Sequence, residues 1–159
     1  MEKEILLEML EVSRFKCEAA FREMNSENAD FRLVARTATA GFLYRHIAET
    51  TLTLGQDLGF ETDATDTTSG KDDTGQRYSL EESRRLLDQA YDKLEELVKN
   101  NSGQFWMETV DTLFFGTVTR MKLLSIVLFH NAHHCGQAAS ALIKGRKFET
   151  IGSGMLAEN

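Results

Sequence analysis

The 159-residue sequence predicts an all-α fold, most economically a four-helix bundle with a long crossover connection. Four segments of similar length carry apolar residues near helical spacing, and the segment between the second and the third is too polar to join a core. The chain also shows no internal repeat. Because this length suits one hydrophobic core, we expect a single domain over residues 1–159.

The first two helices are predicted from their apolar periodicity. The first runs from Glu4 to about Met24 and is followed by the turn-forming segment NSENAD at residues 25–30. The second should end at Gly55 or Gly59, since glycine commonly follows the last turn of a helix. Its apolar residues, which start shortly after the turn, are Val34, Ala38, Phe42, Ile47 and Leu54.

Residues 61–78 contain almost no large apolar side chain and are predicted to be a long loop. Directly after it, Ser79 and Glu82 have the spacing of a capping box, in which each side chain accepts from an otherwise unpaired backbone N–H. A third helix is therefore expected over residues 80–99. Polar residues and a glycine at 100–103 end it.

Residues 104–116 combine aromatic and β-branched side chains without full alternation, which indicates an irregular connection with a hint of extended structure. The fourth helix should start at Thr117 or Thr119 and run to Lys144, where Gly145 stops it. The tail at residues 152–159 is expected to fray.

The charge of the chain excludes two classes of partner. A formal net charge of −7 and a pI near 5.1 do not provide the positive field that attracts nucleic acid or anionic lipid. The longest apolar stretch, near residues 123–129, is far shorter than the roughly 20 residues needed to cross a bilayer. The N-terminus lacks a secretory pattern, so we expect a cytoplasmic protein with Cys17 and Cys135 as free thiols.

Three of the four histidines lie in the segment FHNAHHCGQ at residues 129–137. His130 and His134 are one helical turn apart and can reach a common metal ion. They also lie on a predicted inner seam of the fourth helix, with Leu123, Val127, Gln137 and Ala141. His133 lies on a competing seam that continues into polar residues, so it is the less favoured ligand.

His46 lies among the apolar residues of the second helix, where a neutral imidazole needs hydrogen-bond partners. Coordination of one metal ion by His46, His130 and His134 would satisfy all three rings. The alternative is a core histidine bonded to a backbone carbonyl, beside two histidines that share a helix face by coincidence. The inward position of all three favours the metal site over that alternative.

The segments FLYRHIAETTL and FHNAHHCGQAASAL resemble the DinB/YfiT-like superfamily, whose pattern is a histidine in helix two and H-x-x-x-H-x-G-Q in helix four. The resemblance implies a four-helix bundle and makes His46, His130 and His134 the ligands of a divalent metal such as Zn or Ni. Two features depart from the family pattern. Cys135 stands where arginine often precedes the glycine, and no proline follows the last helix. Neither departure removes a ligand, although both weaken the inference that this chain acts on the substrates of the family.

Three neutral protein ligands leave a metal open to substrate, whereas a structural zinc normally has four. The resemblance implies two chemistries, and the better represented is transfer of a low-molecular-weight thiol, bacillithiol- or mycothiol-like, to an electrophile. The alternatives are a metal-dependent hydrolase and a non-catalytic, stress-related metal-binding scaffold. The expected substrate is a small molecule, and a homodimer is one assembly that we consider.

Several neighbours of the histidines have expected roles. Glu49 is either solvated, which is the default, or a hydrogen-bond acceptor for a ligand imidazole. Gly136 should let a neighbouring helix approach, Gln137 should anchor polar groups at the bundle centre, and Cys135 should be a small buried thiol. Because imidazole has an ordinary pKa of about 6.5, we expect metal affinity to fall toward about pH 5.

Overall fold

The computed structural model describes residues 2–148, 150–151 and 155–156. Four long helices form a bundle, as predicted, and a short helix with a hairpin connects the third to the last. The elements are α1 (Glu2–Phe21), α2 (Ala40–Leu58), α3 (Leu80–Asn100), α4 (Gly103–Met107), β1 (Thr109–Thr112), β2 (Gly116–Thr119), α5 (Arg120–Lys144), β3 (Thr150–Ile151) and β4 (Met155–Leu156).

The packing of the long helices places α2 and α5 side by side. Helix α2 packs against both α3 and α5, and α1 packs against the same two helices, so α1 lies across the bundle from α2. Leu10, Ile47, Leu94 and Val127 contribute one fully buried side chain from each of the four. Among the described residues, no helix is long and apolar enough to cross a membrane.

Helix α2 starts later than the sequence indicates. Its first residue is Ala40, and Thr39 precedes it with a hydroxyl that accepts from the Phe42 N–H at 3.2 Å. The predicted start near Val34 is wrong: that residue is half exposed and lies in a turn. Apolar spacing continues upstream of the helix, but the threonine supplies the side-chain cap that fixes its start. At the other end, Gly59 adopts a positive φ of 121° and ends the helix, which is one of the two predicted stops.

The connection from α3 to α5 is more regular than predicted. It contains the short helix α4 and an antiparallel hairpin in which Val110 pairs with Val118. The irregular connection predicted for residues 104–116 is therefore corrected to a short helix and a hairpin, and the buried Val118 anchors the hairpin to the core. Helix α5 then begins after Thr119, whose hydroxyl accepts from the Lys122 N–H, and ends before Gly145, as expected.

The long polar connection from α2 to α3 has no helix or strand, as predicted, yet it is fixed to the bundle by polar contacts. Thr68 is fully buried and donates to the Glu49 carboxylate at 2.9 Å. Asp73 accepts from the Thr39 N–H at 2.7 Å and pairs with the buried Arg32. The absence of apolar residues therefore excludes this loop from the apolar core but not from the interior.

Most of the tail expected to fray lies outside the described residues. Within it, β4 pairs with β3 in an antiparallel register that places Ile151 opposite Met155.

We expect two helical glycines to respond oppositely to alanine. A Cβ on Gly55 would lie 1.8 Å from Cζ of the Phe60 ring, so Gly55→Ala must displace that ring and should lower the free energy of unfolding by about 1–2 kcal/mol. A Cβ on Gly136 would meet no atom of the described residues within 4 Å, so Gly136→Ala should raise the free energy of unfolding by about 0.5–1 kcal/mol. Chemical denaturation measures both. A stabilised Gly55→Ala variant would contradict the close contact.

Candidate metal centre

Three imidazoles meet between α2 and α5. Each of His46, His130 and His134 offers a nitrogen, and these atoms all lie within 4.8 Å of one another. The Nε2 atoms of His46 and His130 are 3.0 Å apart. The structure therefore brings together the three residues that the sequence selected. His133 is exposed and lies outside this group, although its ring centroid is 5.0 Å from that of His134.

The hydrogen bonds of the loop orient the His46 ring. Its Nδ1 lies 3.3 Å from the hydroxyl oxygens of Thr68 and Thr50. Because Thr68 gives its own proton to Glu49, its oxygen can only accept from the imidazole. This assigns the ring proton to Nδ1 and leaves the Nε2 lone pair facing the other histidines.

Glu49 supports His46 without touching it. The carboxylate is buried, and it accepts from the Thr67 N–H at 2.8 Å as well as from the Thr67 and Thr68 hydroxyls. The guanidinium of Arg45 lies 3.5 Å away. The default expectation of a solvated glutamate is therefore wrong. Glu49 anchors the loop that carries the hydrogen-bond acceptor of His46.

A buried asparagine orients His130. The Nδ1 atom of the ring lies 3.2 Å from Asn131 Oδ1. The Asn131 amide nitrogen donates to the Thr51 hydroxyl at 3.0 Å and to the Tyr91 hydroxyl at 3.2 Å, which fixes the amide with its oxygen toward the ring. The proton of His130 is thus assigned to Nδ1, and Nε2 again carries the lone pair.

An exposed residue, Gln137, orients the His134 ring. Its Nδ1 lies 2.7 Å from Gln137 Oε1, and an amide oxygen accepts, so this ring also holds its proton on Nδ1. Gln137 is exposed, which corrects its expected position at the bundle centre. Gly136 is exposed too, and a Cβ added to it would have no atom of the described neighbouring residues within 4 Å, so no helix approaches closely there.

The arrangement of lone pairs and the suppressed basicity of the rings both suit a transition-metal ion. Two bare Nε2 atoms 3.0 Å apart repel each other unless a proton or a cation lies between them. Burial, reinforced by the neighbouring imidazoles, lowers the pKa of His46 to about 4, and burial also lowers the pKa of His130 to about 4 and that of His134. Neutral imidazoles are the ligands preferred by Zn, Ni and Cu rather than by Mg or Ca.

A cavity of about 620 Å³ opens beside the histidines. Its wall includes His46 and His134, so a small molecule inside it would lie next to the bare nitrogens. The apolar part of the wall is formed by Leu33, Phe42, Leu43 and Ala141, and the charged rim by Arg36, Lys71 and Asp72. The remaining lining residues are Thr37, Ala38, Thr68, Gly70 and Gln137.

Two buried residues that orient the His46 and His130 rings, Thr68 and Asn131, were not predicted from the sequence. Thr68 lies in a loop without periodicity, so no pattern in the sequence pointed to it. Asn131 does have a signal, because it lies on an otherwise apolar stripe of α5 between Val127 and Cys135. A fully buried asparagine at such a position requires specific polar partners.

Comparisons with known proteins agree with this fold. The solved structure of TT2238, a four-helix bundle protein, has a TM-score of 0.62 and 25% sequence identity, covering 84% of this chain and 95% of its own. YfiT from Bacillus subtilis, described as a probable metal-dependent hydrolase with an unusual four-helix bundle topology, has a TM-score of 0.65 and 18% identity, covering 87% of this chain and 85% of its own. The second likeness concerns the fold alone.

No curated protein matches the chain. The sequence matches the DinB superfamily over residues 9–138, which include all three clustered histidines. This match confirms the resemblance drawn from the two histidine segments, and the chain belongs to the DinB superfamily.

Proposed function

We propose that His46, His130 and His134 bind one divalent transition-metal ion, Zn or Ni, through their Nε2 atoms. The observation that carries the proposal is that each Nδ1 has an acceptor, from Thr68, Asn131 or Gln137, so each ring keeps its Nε2 lone pair for a metal ion. Ligands of one zinc ion at Zn–N distances of about 2.0–2.1 Å lie roughly 3–4 Å apart. Nitrogens within 4.8 Å of one another need only small rotations to reach that separation.

We further propose that the protein is a metal-dependent enzyme that transfers a low-molecular-weight thiol, bacillithiol- or mycothiol-like, to an electrophile. When bound, the metal ion would stabilise the thiolate form of such a thiol. The cavity supplies room for the rest of the molecule, and Arg36 and Lys71 at its rim suit a carboxylate or phosphate group. The Glu49 carboxylate accepts from one backbone N–H and two hydroxyls, so it is not free to act as the base that hydrolysis needs. Its hydrogen bonding therefore favours thiol transfer.

Hydrolysis is the second candidate, and one observation favours it. Asp72 lines the cavity, and its carboxylate is exposed, so it could serve as a general base for water. The fold neighbour YfiT is itself described as a probable metal-dependent hydrolase. A non-catalytic scaffold is the third candidate, but it gives no role to a cavity that reaches two of the imidazoles.

The proposal includes a single domain over residues 1–159, a cytoplasmic location and a homodimer. An apolar groove on α1 and α5 supports the dimer, since Ile5, Val12 and Phe129 line it and are 53%, 60% and 77% exposed. Two copies of α1 packed antiparallel about Val12 would set Glu8, which also lines the groove, opposite Lys16 of the second copy. This charge complementarity supports a second copy of the chain as the occupant of the groove. Sedimentation velocity tests the dimer, with Val12→Glu as the disrupting variant.

We expect the purified protein to bind about one Zn or Ni ion per chain, and His46→Ala, His130→Ala and His134→Ala each to abolish tight binding. His133→Ala is the matched control, because its imidazole lies on the same helix but outside the cluster. Elemental analysis and calorimetric titration measure both stoichiometry and affinity. If His133→Ala were the variant that lost the metal, the assigned ligand set would be wrong.

Replacing the acceptor of His46 should weaken the site without removing a ligand. Thr68→Val keeps the shape of the side chain but removes one of the two hydroxyls beside His46 Nδ1, together with the donor that ties the loop to Glu49, so the ring is held less firmly. Loss of such an orienting partner typically costs 10–100-fold in metal affinity. Thr68→Ser retains the hydroxyl and should stay near the wild-type affinity. Equal affinities for Thr68→Val and Thr68→Ser would show that the hydrogen bond does not orient the ligand.

Metal affinity should begin to fall at a lower pH than the sequence indicates. Because burial holds the pKa values of His46 and His130 near 4, both rings are already neutral in the folded protein at pH 5. Because burial also lowers the pKa of His134, metal affinity should fall less between pH 7 and pH 5 than ordinary imidazoles would allow, and most steeply toward pH 4. This expectation replaces the decline toward pH 5 that the ordinary imidazole pKa gives.

The metal-free protein should behave differently over the same range. Its unfolded chain takes up protons on these histidines below about pH 6.5, whereas the folded chain does so only near pH 4, so the free energy of unfolding should fall as pH drops between the two. Thermal melts with zinc and with chelator at pH 7, 5 and 4 measure both effects. A metal-dependent shift already lost at pH 5 would contradict the depressed pKa values.

A paired assay separates the candidate functions. The zinc- or nickel-loaded protein is incubated with bacillithiol, mycothiol or glutathione and a chromogenic electrophile, and in parallel with ester and amide substrates and no thiol. We expect thiol conjugation that disappears in His134→Ala and survives in Asp72→Asn. Thiol-independent hydrolysis that disappears in Asp72→Asn would select the hydrolase, and a metal-loaded protein inactive in both assays would select the scaffold.

A further inference from the structure

The two cysteines of the chain face each other in the core, although 118 positions separate them in sequence. Cys17 lies on α1 and Cys135 on α5, and their sulfur atoms are 3.0 Å apart. Both are free and almost fully buried, at 1% and 5% exposure. A disulfide needs a sulfur–sulfur distance of about 2.05 Å, so a shift of roughly one ångström would join the helices.

Polar neighbours make this pair different from two thiols in an apolar core. The Cys135 thiol donates to Cys17, and this hydrogen bond lowers the pKa of Cys17. The Tyr91 hydroxyl lies 3.4 Å from the Cys17 sulfur and is itself 2.7 Å from the Ser13 hydroxyl. Two groups therefore stabilise a thiolate at Cys17, which is the form of cysteine that reacts with oxidants.

The pair is also connected to two of the clustered imidazoles. Cys135 directly follows His134 in α5. Tyr91, beside Cys17, accepts from the Asn131 amide nitrogen, and the oxygen of that amide lies 3.2 Å from His130 Nδ1. His130 and His134 thus each share a backbone or hydrogen-bond connection with the cysteine pair.

We propose that Cys17 and Cys135 form a reversible disulfide when a peroxide oxidises the protein, and that this disulfide weakens metal binding at the histidine cluster. The second part rests on the proposed function. In the first step the Cys17 thiolate forms a sulfur–oxygen bond with hydrogen peroxide, the oxygen–oxygen bond breaks, and hydroxide leaves. The Cys135 sulfur then displaces the hydroxyl group from Cys17, and its proton leaves with that group as water. The two thiols lose two electrons in total, which the peroxide accepts, and a thiol reductant reverses the change.

The expected direction of the effect on the metal follows from where the two side chains point. Cys135 points to α1, whereas His134 points to His46 on α2. Formation of the bond draws this part of α5 toward α1, which increases the separation of His134 and His46. Because metal affinity depends on ligand positions within a few tenths of an ångström, we expect it to fall by about tenfold.

The full-length protein is treated with hydrogen peroxide, freed of oxidant, alkylated without reduction and digested with trypsin. Mass spectrometry should find residues 17–22 joined to residues 123–144, and dithiothreitol should release them. Zinc affinity is then measured by chelator competition for the reduced and oxidised forms. Cys17→Ser is the matched control, since it removes the disulfide while leaving α5 unchanged, and its zinc affinity should not respond to peroxide.

Each outcome decides one part of the proposal. Absence of the joined peptides, or a linkage between chains rather than within one, would overturn the disulfide. Joined peptides with unchanged zinc affinity would overturn the coupling, as would an equal loss of affinity in Cys17→Ser. If the reduced wild-type protein bound no zinc, the proposed function would fail, and the peptide result would still be read independently.

Discussion

The burial of three neutral imidazoles at the α2–α5 interface is the constraint on which the rest of this structure depends. A half-buried imidazole needs a partner for each ring nitrogen, and leaving one unpaired costs about 1–3 kcal/mol. The chain meets this requirement on one side of each ring with a different side chain: Thr68 of the loop, the buried Asn131 of α5 and the exposed Gln137 of α5. The Nε2 atoms of His46 and His130 lie 3.0 Å apart, and each of the three rings offers a nitrogen within 4.8 Å of the others. Such a convergence of lone pairs destabilises an empty site and stabilises one that holds a cation.

The same requirement accounts for the ordered course of the polar loop. A segment without apolar side chains cannot be held by burial of hydrocarbon, yet this one supplies a fully buried threonine. Glu49 makes that possible, because a buried carboxylate must be surrounded by donors, and Thr67 and Thr68 are the donors that reach it. The charge on Glu49 and the position of the His46 acceptor are therefore one structural feature. Loop order depends here on a single anchoring side chain rather than on the composition of the segment.

The sequence was a good guide wherever one local force dominated. Apolar periodicity located the four long helices, the Ser79 cap and the Gly59 and Gly145 stops set most of their ends, and the inner faces of α2 and α5 identified the histidine cluster. It failed where a distant contact decided the outcome. The hairpin of β1 and β2 depends on pairing across a turn, the start of α2 depends on which of several residues caps it, and the burial of Glu49 depends on a loop some eighteen residues away. Gly136 and Gln137 were misplaced for a related reason: they are next to buried histidines in sequence but on the outer side of α5.

The neutrality of the ligand set bears on which substrates the proposed site would favour. Carboxylate or thiolate ligands reduce the charge of a bound dication, but three imidazoles leave it at its full value. In the structure, the buried carboxylate of Glu49 is separated from His46 by the Thr68 hydroxyl and is occupied by other donors. An external anion would then be the group that balances the charge, and Arg36 and Lys71 at the cavity rim add to the attraction. A thiol is the substrate most affected by such a field, because its pKa lies close enough to neutrality for a nearby dication to convert it fully to the thiolate. A ligand set made only of neutral imidazoles would therefore favour the proposed thiol chemistry over a closed structural site.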